Sequence, residues 1–331
     1  MGVTSDPERA PFPTLTGDGA RRLAAGSQRI VIVGAGGWLG LATLEALHGL
    51  FGDHLSDRVV CFGSSARTLI LRGGVKVEQR ALADLSDLPP APGLVLHLAF
   101  LTQEKAKLMS DSDYVATNAA ITGAVLGALD GIGADGVFVA SSGAVYMADQ
   151  PGAEASKRLY GRLKLKDEVD FTRWAISRRK RAVISRIFNV SGPYVNKHSS
   201  YALACFIADA LAGRPIVIQA ARPVLRSYVA ISELMSVVFG ALTDGEEDVT
   251  LFDTAGDRVY EMADIAAVVA HTLDHAQGVE RPVVNPASPD RYVGDASVYC
   301  QLRHRFAVEV MDFPAQVLET ARFMAEFIET V

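Results

Sequence analysis

Three cysteines, at positions 61, 205 and 300, are all that this 331-residue chain carries, and no two form a CxxC pair. That excludes a disulfide framework and a cysteine-ligated zinc site, and it suits a reducing, cytoplasmic compartment. Cys61 lies inside an apolar run and reads as a core residue. No apolar run approaches the ~18 residues that a membrane span needs. A basic excess is missing too: the net charge is −6, and nucleic-acid binders usually show the opposite sign. The densest basic run, Arg178-Arg179-Lys180-Arg181, follows a helical pattern and precedes an apolar strand, so it reads as a solvated helix end. The N-terminus has no charged segment leading into a long apolar one, so it does not read as a signal peptide. Residues 1–19 are instead rich in Pro, Gly, Thr and acid. A flexible leader is expected over 1–27.

What is present is a folded-protein composition, 49% hydrophobic and 21% charged, enough for a sizeable core. Short, continuously apolar strands are predicted at 29–34, 58–62, 75–79, 94–98, 137–140 and 182–187. Helical spacing lies between them at 39–50, 113–129 and 160–176. Apolar strands alternating with helices imply a parallel sheet covered on both faces. After Asn189 the rhythm changes, with helices predicted at 201–211, 229–242 and 262–273 and short strands at 215–219 and 249–252. The expected fold is therefore α/β: a doubly wound parallel sheet (Rossmann) over 28–190. A smaller C-terminal substrate-capping region over 191–331 is partly interleaved with it.

The first strand runs into Gly34-Ala35-Gly36-Gly37-Trp38-Leu39-Gly40, and a helix follows. Glycines there let backbone amides approach a pyrophosphate, and the helix N-terminus offers unpaired N–H groups to the anion. Strand before and helix after is the context such a pattern requires. In NAD enzymes an acid at the end of the second strand holds the adenosine ribose. Here that stretch reads Phe62-Gly63-Ser64-Ser65-Ala66-Arg67, with no acid. Ser64, Ser65 and Arg67 suit a 2′-phosphate instead, so the cofactor is NAD(P), with NADP favoured.

Tyr160-Gly161-Arg162-Leu163-Lys164 sets Tyr160 and Lys164 on one helix face. A phenol must lose its proton to act as a base, and a nearby ammonium favours the phenolate. The pair follows the predicted strand 137–140 and the hydroxyl-rich turn Ser141-Ser142-Gly143-Ala144-Val145-Tyr146, where Ser142 is placed to hydrogen-bond a reacting oxygen.

With these residues the chain resembles the extended short-chain dehydrogenase/reductases, the NAD(P)-dependent sugar-nucleotide epimerase/dehydratase family, over roughly residues 29–325. The resemblance makes Ser142, Tyr160 and Lys164 the catalytic triad. It makes Asp84-Leu85 an adenine-contacting pair. His97-Leu98-Ala99-Phe100 resembles the strand-four motif, which usually ends Ala-Ala, and Asn118 falls where the family's helical Asn does. Asn189, in Arg186-Ile187-Phe188-Asn189-Val190, matches a substrate-contacting Asn. Arg226 and Arg291 resemble the two arginines that meet the substrate diphosphate, a forked clamp that suits that anion.

The implied reaction is hydride transfer on a nucleotide sugar. Tyr160 takes the hydroxyl proton, Lys164 lowers the Tyr pKa and orients the cofactor ribose, and Ser142 stabilises developing charge. Family 4,6-dehydratases carry Asp-Glu where this chain has Gly143-Ala144, which argues against elimination. An epimerase is the leading reading. An NADPH-dependent keto-sugar reductase, a dehydratase and a cofactor-sensing scaffold are the alternatives. A homodimer is expected, with no nucleic-acid partner, no membrane and no metal.

Overall fold

The structure is a computed structural model that describes residues 13–244, 248–285 and 289–328. Its centre is an eight-stranded sheet. The strands are β1 (Arg29–Val33), β2 (Val59–Gly63), β3 (Arg67–Ile70), β4 (Lys76–Ala81), β5 (Gly93–His97), β6 (Ala134–Ser142) and β7 (Arg181–Ile187). They are joined by β9 (Val249–Asp253), which follows a short strand β8 (Val224–Arg226). The spatial order is β9-β7-β6-β5-β1-β2-β4-β3, and all pairs are parallel except β3 with β4. Ile30, Ile32, Val33, Leu94, Leu96, Val137, Phe138 and Val139 are 0% exposed. Burial on both faces is why these strands read as unbroken apolar runs.

Helices α2 (Trp38–Phe51), α3 (Asp111–Leu129) and α4 (Ala155–Arg178) follow β1, β5 and β6, so the sheet is doubly wound as expected. The chain leaves β1 toward β2 on one side, while β5 lies on the other. The crevice between the carboxyl ends of β1 and β5 is thus the switch point where such folds bind ligands. Strand β9 comes from the second half of the chain, yet it pairs with β7 and completes the sheet.

Two expectations need correcting. The leader was expected to run to residue 27, but Gly17–Ala25 forms a helix, α1. It packs on α6 (Ile231–Asp244), with Leu23 buried and Gly19 so near Gly240 that a Cβ would fall 2.4 Å from the Gly240 nitrogen. Small residues at the crossing create this contact, and a composition-based reading does not see it. The remainder of the leader, residues 1–12, lies outside the described residues. Secondly, β3 was not expected. It is short and mostly exposed, so it shows no apolar period.

The cap is built from α5 (Ala202–Leu211), α7 (Met262–Thr272) and α9 (Phe313–Ile328), whereas α6 packs on β6 and β7 and α8 (Ala296–Arg305) packs on α6 and β9. A small sheet joins the cap, in which β8 pairs antiparallel with β10 (Tyr260–Glu261) and parallel with β11 (Asp290–Tyr292). A buried ion pair inside the cofactor fold anchors the cap through Tyr194. Arg72 donates through Nε and Nη2 to both oxygens of Glu45 on α2, each at 2.8 Å. The Tyr194 hydroxyl from the cap side donates to Glu45 Oε1 at 3.0 Å and accepts from the Arg72 amide at 2.9 Å.

Replacing one member of such a pair strands the other charge in the interior. Arg72→Met is expected to lower unfolding free energy by about 3–5 kcal/mol in urea denaturation. A loss below about 1 kcal/mol, the size of a surface pair, would mean that the pair does not behave as a buried one.

Candidate active site

The glycine loop closes on the exit of β5. Gly34 has φ +95°, and a Cβ there would lie 2.6 Å from the Ala99 nitrogen. Only glycine allows both the backbone turn and that approach. At Gly40 a Cβ would meet the Gly34 carbonyl oxygen at 2.4 Å, which forces α2 hard against the loop. Gly37 is the N-cap of α2 and gives it no side-chain cap, so the amides of the first turn, from Trp38 through Gly40, open toward the crevice. This bare, close-packed cradle fits a dinucleotide pyrophosphate.

Beside it, Ser64, Ser65 and Arg67 are exposed, and Arg67 Nη2 lies 3.5 Å from the Gly36 carbonyl oxygen. Asp84 is half-buried, while Leu85 sits in the core with Val33 and Phe62. Asn118 is spoken for internally. Its Oδ1 accepts from the Leu101 amide at 2.8 Å and its Nδ2 donates to the Tyr114 carbonyl at 3.1 Å, so it braces the loop after β5.

The crevice continues into a cavity of about 880 Å³ lined by Trp38, Leu39, Ser142, Tyr160, Lys164, Asn189 and Arg226. Strand β6 and helix α4 therefore deliver the expected triad to one wall. A Cβ on Gly161 would lie 2.3 Å from the Ala144 carbonyl oxygen, and that close approach seats Tyr160 and Lys164 beside the Ser142 turn. Ser142 Oγ accepts from the Ala144 amide at 3.2 Å. Lys164 Nζ donates to the Ala140 carbonyl at 2.8 Å and sits 3.7 Å from the centre of the Phe100 ring. The same ring meets Tyr160 edge-on at 5.6 Å. Phe100, the departure from Ala-Ala, is thus a wall against both Tyr160 and Lys164.

Burial governs the charges here. It pushes the Tyr160 phenol well above its usual pKa, with the Ser142 hydrogen bond pulling the other way. Lys164, expected to lower it, is not among the groups that act on the phenol; Tyr292, Tyr114 and Tyr201 add to the upward push. Burial also brings the Lys164 ammonium down to about 8, opposed by the carboxylates of Asp167 and Glu168. Behind the lysine, burial and the Lys164 charge hold His97 neutral, its pKa down to about 3. His97 Nε2 lies 3.9 Å from Asp167 Oδ2, and Asp167 Oδ1 accepts from Thr122 Oγ1 at 2.8 Å.

The substrate side departs from expectation at Arg291. In the β8–β11 register Arg226 pairs with Tyr292, and Leu225 with Arg291. Alternation along a strand then puts Arg291 on the opposite face from Arg226. It is exposed and does not line the cavity, whereas Tyr292 does. The proposed two-arginine clamp reduces to Arg226, whose Nη1 donates to Asp290 Oδ1 at 3.2 Å. Tyr292 was missed by sequence reading. Its hydroxyl is 3.5 Å from Ser142 Oγ, its carbonyl accepts from Asn189 Nδ2 at 3.2 Å, and its ring packs on Phe188 at 4.6 Å. Only the strand period could have signalled it. Among the described residues, no group of three or more His, Cys, Asp or Glu could hold a metal, and no helix is long and apolar enough to cross a membrane.

A glycine cradle at the switch point, with Ser, Tyr and Lys on the facing wall, defines an extended short-chain dehydrogenase/reductase. More narrowly, the chain belongs to the NAD dependent epimerase/dehydratase family, a family of enzymes, whose model matches residues 30–253. No curated protein matches the chain in sequence. Solved structures share the fold. A UDP-N-acetylglucosamine 4-epimerase from Methanobrevibacter ruminantium M1 is 19% identical with a TM-score of 0.71, over 92% of this chain and 99% of that one. A UDP-glucuronic acid 4-epimerase from Bacillus cereus is 17% identical, TM-score 0.67, over 91% and 100%. A dTDP-glucose 4,6-dehydratase from Streptomyces venezuelae is 17% identical, TM-score 0.67, over 90% and 97%.

The charge state of Lys164 gives a test. Removing the Asp167 carboxylate takes away a group that raises the lysine pKa, so deprotonation moves to lower pH. Asp167→Asn is expected to shift the alkaline limb of the pH–rate profile down by about one unit relative to wild type. An unmoved limb would separate that carboxylate from catalysis.

Proposed function

We propose that this chain is a nucleotide-sugar epimerase that works through a tightly held nicotinamide dinucleotide. The observation that carries the reading is the delivery of Ser142, Tyr160 and Lys164 to one wall of a cavity that Arg226 also lines. A nicotinamide in the crevice supplies the hydride acceptor and donor. Tyr160 exchanges a proton with the reacting sugar oxygen. It starts as a phenol, so it is ready to protonate an oxyanion and needs added positive charge nearby before it removes a proton. Ser142 donates to the same oxygen, with its own Oγ held by the Ala144 amide. Lys164 holds a cation behind the phenol. Arg226, fixed by Asp290, offers its guanidinium to a diphosphate. Similar solved proteins are named for UDP-linked sugars, one of them in complex with UDP-N-acetylmuramic acid, which supports a nucleoside-diphosphate sugar as substrate.

Elimination is disfavoured on steric grounds as well. A Cβ on Gly143 would fall 2.6 Å from the Phe188 ring, so the place of a dehydratase carboxyl is taken. Arg67 at the ribose end favours NADP over NAD. That keeps a second reading open, a reductase that consumes NADPH against a keto-sugar. A homodimer fits the apolar stripe of Leu165, Val169 and Ile176 on α4, continued by Leu251 on β9, all partly exposed. Three free cysteines suit a cytoplasmic location.

The chemistry is tested with candidate UDP- and dTDP-sugars. An epimerase converts one epimer into the other and leaves nicotinamide absorbance unchanged at the end, whereas a reductase depletes NADPH in proportion to product. In either case Tyr160→Phe should bind cofactor normally and lose about 10²–10⁴-fold in kcat. Near-wild-type turnover by that variant would remove Tyr160 from the mechanism.

Cofactor choice has its own measurement. Arg67→Ala should weaken NADPH much more than NADH in a binding titration, and equal weakening would remove the 2′-phosphate role.

A further inference from the structure

The end of β2 is where NAD enzymes hold the acid that grips the adenosine ribose, and here it is Gly63. The space is not empty. A Cβ on Gly63 would lie 2.4 to 2.5 Å from the amide carbon, nitrogen and oxygen of Gln79, which reaches over from β4. The side-chain amide of Gln79 thus occupies the volume in which an acidic side chain at 63 would begin.

Gln79 is 3% exposed. Its Nε2 donates to the Ser65 carbonyl at 2.8 Å, which fixes the orientation of the amide, since a flipped one would set two carbonyl oxygens together. Its Oε1 is buried with no hydrogen-bond partner. Buried amide oxygens nearly always accept a bond. This one faces the glycine loop, where a Cβ on Gly36 would lie 3.0 Å from it. Arg67 is the direct register partner of Gln79 across the β3–β4 ladder, so the two side chains share a face.

We propose that Gln79 is the ribose acceptor of this chain: its Oε1 takes a hydrogen bond from an adenosine ribose hydroxyl, in place of the missing carboxylate. The inference rests on the reading that the glycine loop binds a nicotinamide dinucleotide. A neutral acceptor differs from a carboxylate in one respect that matters here. It does not repel a phosphate on the neighbouring 2′ oxygen, where Arg67 stands. Gln79 therefore serves the 3′-hydroxyl of either dinucleotide, and Arg67 adds the preference for the 2′-phosphate. The unexpected strand β3 gives this pair its geometry.

Binding, not turnover, reads the proposal. NADH and NADPH are titrated by nicotinamide fluorescence against wild type, Gln79→Met and Gln79→Glu, with thermal unfolding checked for each. Gln79→Met keeps the length and loses the acceptor, and it should weaken both cofactors about three- to tenfold. Gln79→Glu adds charge and gives up the bond to the Ser65 carbonyl, and it should weaken NADPH at least about fivefold more than NADH. A dinucleotide lacking the adenosine 3′-hydroxyl should bind wild type and Gln79→Met alike. The proposal is overturned if folded Gln79→Met binds both cofactors as wild type does, if it loses the same factor with the 3′-deoxy analogue, or if Gln79→Glu does not discriminate. Wild-type binding of neither dinucleotide would overturn the nicotinamide reading itself, and this inference with it.

Discussion

The rest of the site depends on a backbone contact, that of Gly34 with the exit of β5 at Ala99. Two neighbouring strands leave the sheet there in opposite senses. Their loops must pass without side chains between them, or the crevice that divides them cannot close to the width of a nucleotide. Once that contact is set, α2 starts at a fixed angle and aims its bare N-terminus, and the loop after β5 is pinned by Asn118. Helix α4, which carries Tyr160 and Lys164, meets the turn after β6 through a second backbone approach, at Gly161. Cofactor cradle and catalytic wall are therefore both referenced to main chain, which moves least.

Much of this was legible in the sequence because it lives in local pattern. Buried parallel strands are apolar runs, the loop is a glycine spacing between strand and helix, and Tyr160 and Lys164 share a helix face by their separation. What was not legible depends on distant partners. Strand β3 has no pattern of its own and exists because β4 offers an edge. Arg291 and Tyr292 are adjacent in sequence, and only the register with β8 decides which of them meets the cavity. Helix α1 is stabilised by its crossing with α6, more than two hundred residues away.

The electrostatic picture changed for the same reason. Sequence places a cation four residues from the phenol and suggests an easy phenolate. Folding buries Lys164 and half-buries Tyr160, and desolvation is the largest influence on each. The neutral His97, the carboxylate of Asp167 and the Phe100 ring then become the true surroundings of Lys164. Spacing along a helix names the reacting groups, but the packing around that helix sets their resting protonation.

The contact between Gly143 and Phe188 ties one turn to another. Any side chain at 143 would meet the aromatic ring and oblige it to turn or shrink. Phe188 also packs at a tilt on Tyr292, whose hydroxyl lies 3.5 Å from Ser142 Oγ, so moving the ring would disturb the setting of that serine. A single ring thus makes the smallest residue of the turn the guardian of its neighbour's surroundings.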